Sequence, residues 1–177
     1  MKQMNLIALM NYAWEQRKYV NYEQYAQQST NLISHAYVDI RSKAISYGHD
    51  EDKVFYALQD VYAFIINCDG DVLQGEYDAY VNFCRYAGIQ ALSVNDIKNL
   101  YARKSTNDLS ESISYINSFR SYIDDSKFEA LVLAFCYLSL LGDKSFDENE
   151  YYIIRCFFDR NYDYYPKDWA TFKREWK

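Results

Sequence analysis

Residues 60–77 read Asp-Val-Tyr-Ala-Phe-Ile-Ile-Asn-Cys-Asp-Gly-Asp-Val-Leu-Gln-Gly-Glu-Tyr, and residues 134–151 read Ala-Phe-Cys-Tyr-Leu-Ser-Leu-Leu-Gly-Asp-Lys-Ser-Phe-Asp-Glu-Asn-Glu-Tyr. The two segments align without gaps, so that Glu76 pairs with Glu150 at an offset of 74 residues. Each segment holds an apolar stretch, an acidic turn, one inserted hydrophobic residue and an acid that opens the next apolar-periodic stretch. Two helix-turn-helix units of this kind predict a helical bundle with an internal pseudo-twofold repeat, in which the long central helices pack on one another.

The rest of the chain is predicted to be helical as well. Only 5 Gly and 1 Pro occur in 177 residues, too few for the turns of a β-sandwich or barrel. Apolar residues recur at helical spacing, and the fold class is therefore all-α with about eight or nine helices. Capping-box spacings at 108–111 and 126–129 predict helix starts near 109 and 127. The longest apolar run, 131–141, is predicted to form the helix at the centre of the core and is too short for a membrane span.

A single globular unit is expected, with residues 1–48 as an N-terminal helical extension packed on a main helical domain of residues 49–177. The chain carries 19 Lys+Arg against 25 Asp+Glu, a net charge of −6. This balance provides no global positive field, so direct nucleic-acid binding is not expected. The cysteines lack metal-site spacing and are interpreted as buried free thiols, which suits a cytoplasmic location: Cys68, Cys84, Cys136 and Cys156.

The first acidic turn also resembles a known family signature. The string Asp69-Gly-Asp-Val-Leu-Gln-Gly-Glu76, between an apolar helix and a tyrosine, resembles the D-G-x-I-x-x-x-E signature of the tellurite-resistance TerB-like family. The resemblance covers residues 50–160 and implies an all-helical domain with the signature in two related halves. It departs from the family pattern at Leu73, where a capping Ser or Asp is usual, and at Lys144, where Gly is common. It implies a cytoplasmic interaction or stress-response module without enzymatic activity, some members of which bind divalent cations through acidic residues.

The acidic turns supply the candidate metal ligands. Carboxylate oxygens are the ligands that Ca²⁺ and Mg²⁺ prefer, and a regular EF-hand is excluded because its first position would be Ile65. The same acids also have a structural explanation, since Asp147 and Glu150 have capping-box spacing and the first turn's aspartates flank a glycine. Both interpretations stay open from the sequence. The predicted metal-ligand set is Asp69, Asp71, Glu76, Asp143, Asp147 and Glu150.

No catalytic or cofactor-binding residue is predicted. Paired acids such as Asp124-Asp125 have no nucleophile, histidine or anion-binding loop beside them in sequence, and a metal-dependent hydrolase is therefore the minor alternative. Of the two histidines, His35 is predicted at the edge of the core and His49 in an exposed turn.

Aromatic residues suggest where a partner would bind. Tyr19, Tyr22 and Tyr25 are predicted to form an exposed surface at the start of the second helix, which favours a protein partner or a homodimer. The aromatic tail, residues 162–177, is predicted to be a last helix that docks Trp169, Phe172 and Trp176 on the core. A second functional hypothesis is a phage- or plasmid-borne acidic inhibitor that occupies the binding site of a nucleic-acid enzyme.

Overall fold

The computed structural model describes residues 6–68, 70–141, 146–156 and 168–176, and within these ranges every regular element is a helix. The prediction of an all-α fold is confirmed for the described residues. The α-helices are α1 Leu6–Gln16, α2 Tyr22–Ser46, α3 Lys53–Asn67, α4 Gln74–Ala87, α5 Val94–Arg103, α6 Thr106–Asn117, α7 Asp125–Ser139, α8 Glu148–Cys156 and α9 Trp169–Trp176, with a 3₁₀ turn at Arg120–Tyr122.

Several helix ends lie where the sequence predicts them. Gly48 follows α2 with φ +80° and Gly88 ends α4 with φ +71°, a left-handed conformation that glycine adopts without steric cost. The side chain of Ser93 caps α5 by accepting the backbone N–H of Asp96 at 3.1 Å. The structure confirms these predicted ends. They can be predicted because one residue type suits each position and no neighbouring residue competes for it.

The predicted starts of α6 and α7 are wrong by two to three residues. Helix α6 begins at Thr106 because Ser105 accepts the N–H of Asp108 at 3.1 Å and donates its own N–H back to that carboxylate at 2.8 Å. This reciprocal cap precedes the spacing at 108–111 and adds a turn to the helix. Helix α7 begins at Asp125 rather than near 127.

The core is organised around α2 and α7, which form the most extensive helix pair in the described chain. Helix α2 also packs along α4. The hydroxyl of Ser29 on α2 donates to the carbonyl of Ala134 on α7 at 2.9 Å, and the hydroxyl of Thr30 donates to the carbonyl of Ala79 on α4 at 3.2 Å. The predicted central helix is confirmed, since the run from Phe135 to Leu138 is fully or almost fully buried.

Helix α3 packs beside this pair and carries α5 and α6 on its outer side. Its buried Tyr62 ring stacks on Phe83 of α4 at 5.5 Å and meets Phe135 of α7 edge-on at 5.8 Å. Aromatic contacts of this kind stabilise the fold beyond what the burial of apolar surface contributes. Residues from α1 to α9 contribute to one continuous hydrophobic core.

The described part of the aromatic tail, residues 168–176, docks on the core as predicted. Phe172 of α9 is fully buried, with its ring 4.9 Å from Tyr151 of α8 and 5.6 Å from Phe146. Trp176 meets Trp14 of α1 edge-on at 6.1 Å. The last helix therefore joins α8 to the first helix of the chain.

Three surface predictions need correction. Tyr25 is buried with only 3% of its surface exposed, whereas Tyr19 and Tyr22 are exposed at 72% and 47% as predicted. His35 is exposed on α2 instead of lying at the core edge. His49 is half-buried instead of exposed, because the aromatic rings of α6 and the following turn pack on it at 5.4 and 5.7 Å.

No helix among the described residues combines the length and the apolar character that crossing a membrane requires.

Candidate metal centre at the two acidic turns

Each acidic turn connects an apolar helix to an acid-opened helix. The first turn runs from the end of α3 at Asn67 to the start of α4 at Gln74, and the second from the end of α7 to the start of α8. Asp69 and Asp143 lie outside the described residues, and their role as ligands stays a prediction. Asp71 is exposed, whereas Glu76 is buried at the start of α4.

Both turns close with the same hydrogen bond. The N–H of Leu73 donates to Glu76 Oε2 at 2.9 Å, and the N–H of Asp147 donates to Glu150 Oε2 at 3.0 Å. These residues occupy matching positions in the two aligned segments. Each glutamate is buried, and each satisfies a backbone N–H that the first turn of a helix leaves without an intrahelical partner.

The second turn has a further cap that the first lacks. The carboxylate of Asp147 accepts the N–H of Glu150 at 2.9 Å, which completes a reciprocal capping box. The matching residue in the first turn, Leu73, has no acceptor in its side chain. The structural interpretation of Asp147 and Glu150 as helix caps is therefore confirmed.

The fold brings the end of α3 to the second turn. Cys68 Sγ lies 3.9 Å from Asp147 Oδ2, and Cys68, Asp147 and Glu150 each offer a ligand atom, all within 4.8 Å of one another. Cys68 and Asp147 are half-buried and Glu150 is buried. This cluster unites two of the six predicted ligands with a thiol from the other copy of the repeat, and it does not include Asp71 or Glu76.

The ligand atoms of this cluster are close enough to share a cation after a small shift. A tetrahedral site with ligands about 2.0–2.3 Å from the ion has its ligand atoms about 3.3–3.8 Å apart. The 3.9 Å between Cys68 Sγ and Asp147 Oδ2 is close to this spacing, whereas atoms up to 4.8 Å apart have to approach one another by about 1 Å. Capping occupies Oδ1 of Asp147, whereas Oδ2 is the oxygen that faces Cys68. Capping and ion binding are thus geometrically compatible.

The thiol changes which ion the cluster suits. A thiolate with two carboxylates is a softer donor set than the six carboxylates predicted from the sequence, and it favours Zn²⁺ over Ca²⁺ or Mg²⁺. From the sequence Cys68 is interpreted as a buried free thiol, whereas in the structure it is half-buried and faces Asp147. The available signal was its position directly before Asp69, where the apolar helix ends and the acidic turn begins.

The other described thiols lie elsewhere in the core. Cys84 and Cys136 are buried and, like Cys68, are not in disulfides. Burial raises the pKa of Cys84 to about 11 and raises that of Cys136 further, which keeps both protonated and unreactive at neutral pH. The side chain of Cys156 lies outside the described residues.

No family model, curated protein or solved structure matches this chain. The TerB-like resemblance therefore depends on the first turn and its aligned copy.

Proposed function

We propose that the protein is a non-enzymatic, cytoplasmic interaction module of the TerB-like kind, with a pseudo-twofold organisation and a divalent cation bound at its second turn. The observation that carries this proposal is the cluster of Cys68, Asp147 and Glu150, in which ligand atoms from both copies of the repeat lie within 4.8 Å of one another. The shared hydrogen bonds of Glu76 and Glu150 support the repeat at the level of local geometry.

A cation at this cluster supplies charge neutralisation and a link between two elements. Cys68 directly follows α3, while Asp147 and Glu150 cap the start of α8, so the ion joins two helices that α4 to α7 separate in sequence. The carboxylates keep their capping hydrogen bonds, and the ion neutralises their charge. The expected consequence is a more stable junction between the two repeat units.

An aromatic corner supports the role as an interaction module. Tyr12, Trp14, Tyr19 and Tyr22 are all exposed at the end of α1 and the start of α2, and the guanidinium of Arg17 lies 4.7 Å above the Trp14 ring. Tyrosine, tryptophan and arginine are the residues most enriched at binding hot spots. Sedimentation over a wide concentration range distinguishes self-association through this corner from a role that needs a different protein.

The cation site is tested by calorimetric titration of reduced, chelator-stripped protein with Zn²⁺, Ca²⁺ and Mg²⁺ in turn, with thermal melts alongside. We expect saturable heat and a raised Tm with Zn²⁺, since a ligand at a hundredfold excess over its Kd stabilises the folded state by about 2.7 kcal/mol. Cys68→Ala is expected to abolish Zn²⁺ binding. The thiol of Cys68 donates to the carbonyl of Ile65 in the last turn of α3 at 3.2 Å, and it makes neither of the hydrogen bonds that cap α8. This variant therefore removes the thiol ligand and leaves the caps of α8 in place.

Asp108→Asn is the matched control. Asp108 caps α6 with the same backbone geometry as Glu150 at α8 but belongs to no described metal cluster, so its replacement should leave the binding heat unchanged. Calcium or magnesium binding that is insensitive to Cys68→Ala but lost in Glu150→Gln would support an oxygen-only site. The absence of heat and of any Tm shift with all three ions at millimolar concentration would overturn the cation site and leave these acids as caps.

A further inference from the structure

A second candidate site lies on the outer side of α3. A cavity of about 470 Å³ opens between α3, α5, α6 and α8. This volume is within the range of small-molecule sites in proteins, about 300–1,000 Å³. Its apolar lining includes Leu109 of α6 and Ile153 of α8, and Asp60 and Lys104 are its charged lining residues.

Three aromatic rings line the cavity. Phe64 of α3 and Tyr101 of α5 lie 5.7 Å apart with their planes inclined by 58°, and Tyr152 approaches from α8. The face of an aromatic ring carries negative electrostatic potential and attracts cations. A cavity with several rings from different helices therefore favours a cationic group with an apolar body.

A carboxylate lines the same cavity. The side chain of Asp60 on α3 is only 12% exposed, and its Oδ2 accepts the hydroxyl of Ser112 at 2.7 Å and pairs with Lys104 Nζ at 3.4 Å. Its other oxygen, Oδ1, accepts no hydrogen bond from the part of the chain that the structure describes. A carboxylate offers about four acceptor positions, so Asp60 retains acceptor capacity for a ligand.

The ion pair between Lys104 and Asp60 is weak, so a ligand ammonium group can replace the lysine. Its side chain is 40% exposed and its ion pair with Asp60 is long, and surface ion pairs of this kind contribute little free energy. A ligand ammonium held between Asp60 and the aromatic rings would have better geometry. The lysine side chain can then turn toward solvent without leaving a buried charge.

The surrounding charge also favours a cation. A neighbouring cavity of about 320 Å³ shares Asp60 and Lys104 with the first. Together the two cavities are lined by three carboxylates and two ammonium groups, in a chain with a net charge of −6. These groups are Asp60, Asp108, Glu111, Lys53 and Lys104.

We propose that this cavity binds a small organic ammonium ion with an aromatic body. The ammonium group binds Asp60 and contacts the rings of Tyr101 and Tyr152, and the aromatic body packs on Phe64 and Ile153. The site involves neither acidic turn, so the inference is independent of the proposed cation centre.

Calorimetry with three probes of matched shape tests this proposal on metal-free protein: tryptamine, which is cationic at pH 7, neutral 3-ethylindole and anionic indole-3-propionate. We expect saturable binding of tryptamine and at least about tenfold weaker binding of the other two. Asp60→Asn should weaken tryptamine binding by about tenfold or more, because the charged acceptor is lost. Lys104→Met should strengthen it, because the competing ammonium group is removed.

Asp39→Asn on α2 is the matched control and should leave tryptamine binding unchanged, since Asp39 lines neither cavity. The opposite response of Asp60→Asn and Lys104→Met keeps the test informative even where one variant loses stability. Preference for indole-3-propionate, with loss of binding in Lys104→Met, would overturn the proposal in favour of an anion. Equal binding of all three probes, or no binding at millimolar concentration, would overturn it as well.

Discussion

Tyr22 and Tyr25 lie one helical turn apart, but one side chain is exposed and the other is buried. Both lie in the first turn of α2, yet Tyr22 is 47% exposed and Tyr25 is 3% exposed. The hydroxyl of Tyr25 donates at 2.8 Å to the carbonyl of Ala13, in the last turn of α1, where carbonyls lack intrahelical partners. The spacing of the two tyrosines does not distinguish them. The position of α1 does, and it is a tertiary feature.

Tyr25→Phe is therefore expected to destabilise the protein, although it keeps the ring and its contact with Tyr137 at 4.6 Å. The lost hydrogen bond leaves the carbonyl of Ala13 without its donor, and the expected cost is about 0.5–1.5 kcal/mol. Urea unfolding followed by circular dichroism measures this free energy. Tyr19→Phe is the control, because Tyr19 is 72% exposed and its change should fall within about 0.5 kcal/mol. Equal costs for the two variants would contradict the assigned role of the buried hydroxyl.

At the scale of the helix, the ends show what local sequence can predict. Ser93 and Gly88 are predictable as caps because each is the one suitable cap at its position. The start of α6 is not, because two capping patterns overlap, at 105–108 and at 108–111, and the helix forms from the earlier one. The caps of α8 at Asp147 and Glu150 followed from local spacing. Their approach to Cys68 could not be predicted from local spacing. Helices α4, α5, α6 and α7 lie between residues 68 and 147 in the chain, so the contact depends on tertiary packing.

The cap of α6 predicts a specific dependence of stability on pH. The backbone N–H of Ser105, and then its hydroxyl, hold the pKa of Asp108 below its ordinary value. A carboxyl group whose pKa is lower in the folded state stabilises the fold above the unfolded-state pKa, and the stabilisation is lost as the pH falls through the folded-state pKa. Part of the loss of stability below about pH 4 should therefore come from Asp108.

Asp108→Asn tests this, because an amide still accepts the hydrogen bonds but does not titrate. We expect urea midpoints of this variant to fall less steeply than those of the parent protein as the pH is lowered from about 5 to 2. Asp108 is only half-buried, so we expect a small difference, measured against Asp39→Asn. Asp39 is also half-buried and forms no hydrogen bond or ion pair with the described residues. Parallel pH profiles for the parent and Asp108→Asn would contradict the assigned cause of the shift.

At the scale of the whole molecule, the sequence predicts the fold class but not the helix pairing. Helical periodicity identifies an apolar face on each element, whereas the partner of that face depends on the whole arrangement. The repeat predicts that the long central helices of its two copies pack together, and α3 does contact α7. The most extensive partner of α7 is nevertheless α2, which belongs to the predicted N-terminal extension. The Cys68 cluster and the cavity beside Asp60 also combine residues from helices that are distant in sequence, so neither can be predicted from local patterns.

The packing of α2 predicts that residues 49–177 do not fold by themselves. A fragment of residues 49–177 lacks α2, and with it the fully buried Ile33 and Ile40 and the hydrogen bond from Ser29 to α7. Exposing the matching faces of α4 and α7 costs about 1.5–3 kcal/mol for each large apolar side chain, and a few such losses equal the stability of a typical domain. We expect the 49–177 fragment to unfold without a cooperative transition in urea.

The control keeps both segments but cuts the chain between them. A protease site inserted between the exposed residues Tyr47 and Gly48 allows cleavage after folding. The nicked protein should keep a cooperative transition, because α2 is held by packing rather than by the peptide bond. Adding a 1–48 peptide to the isolated 49–177 fragment should likewise restore the transition. If that fragment alone unfolded with the midpoint and steepness of the full chain, residues 1–48 would be an accessory to the core. The side chains buried between α2 and α7 predict instead that residues 1–48 are an essential part of the core.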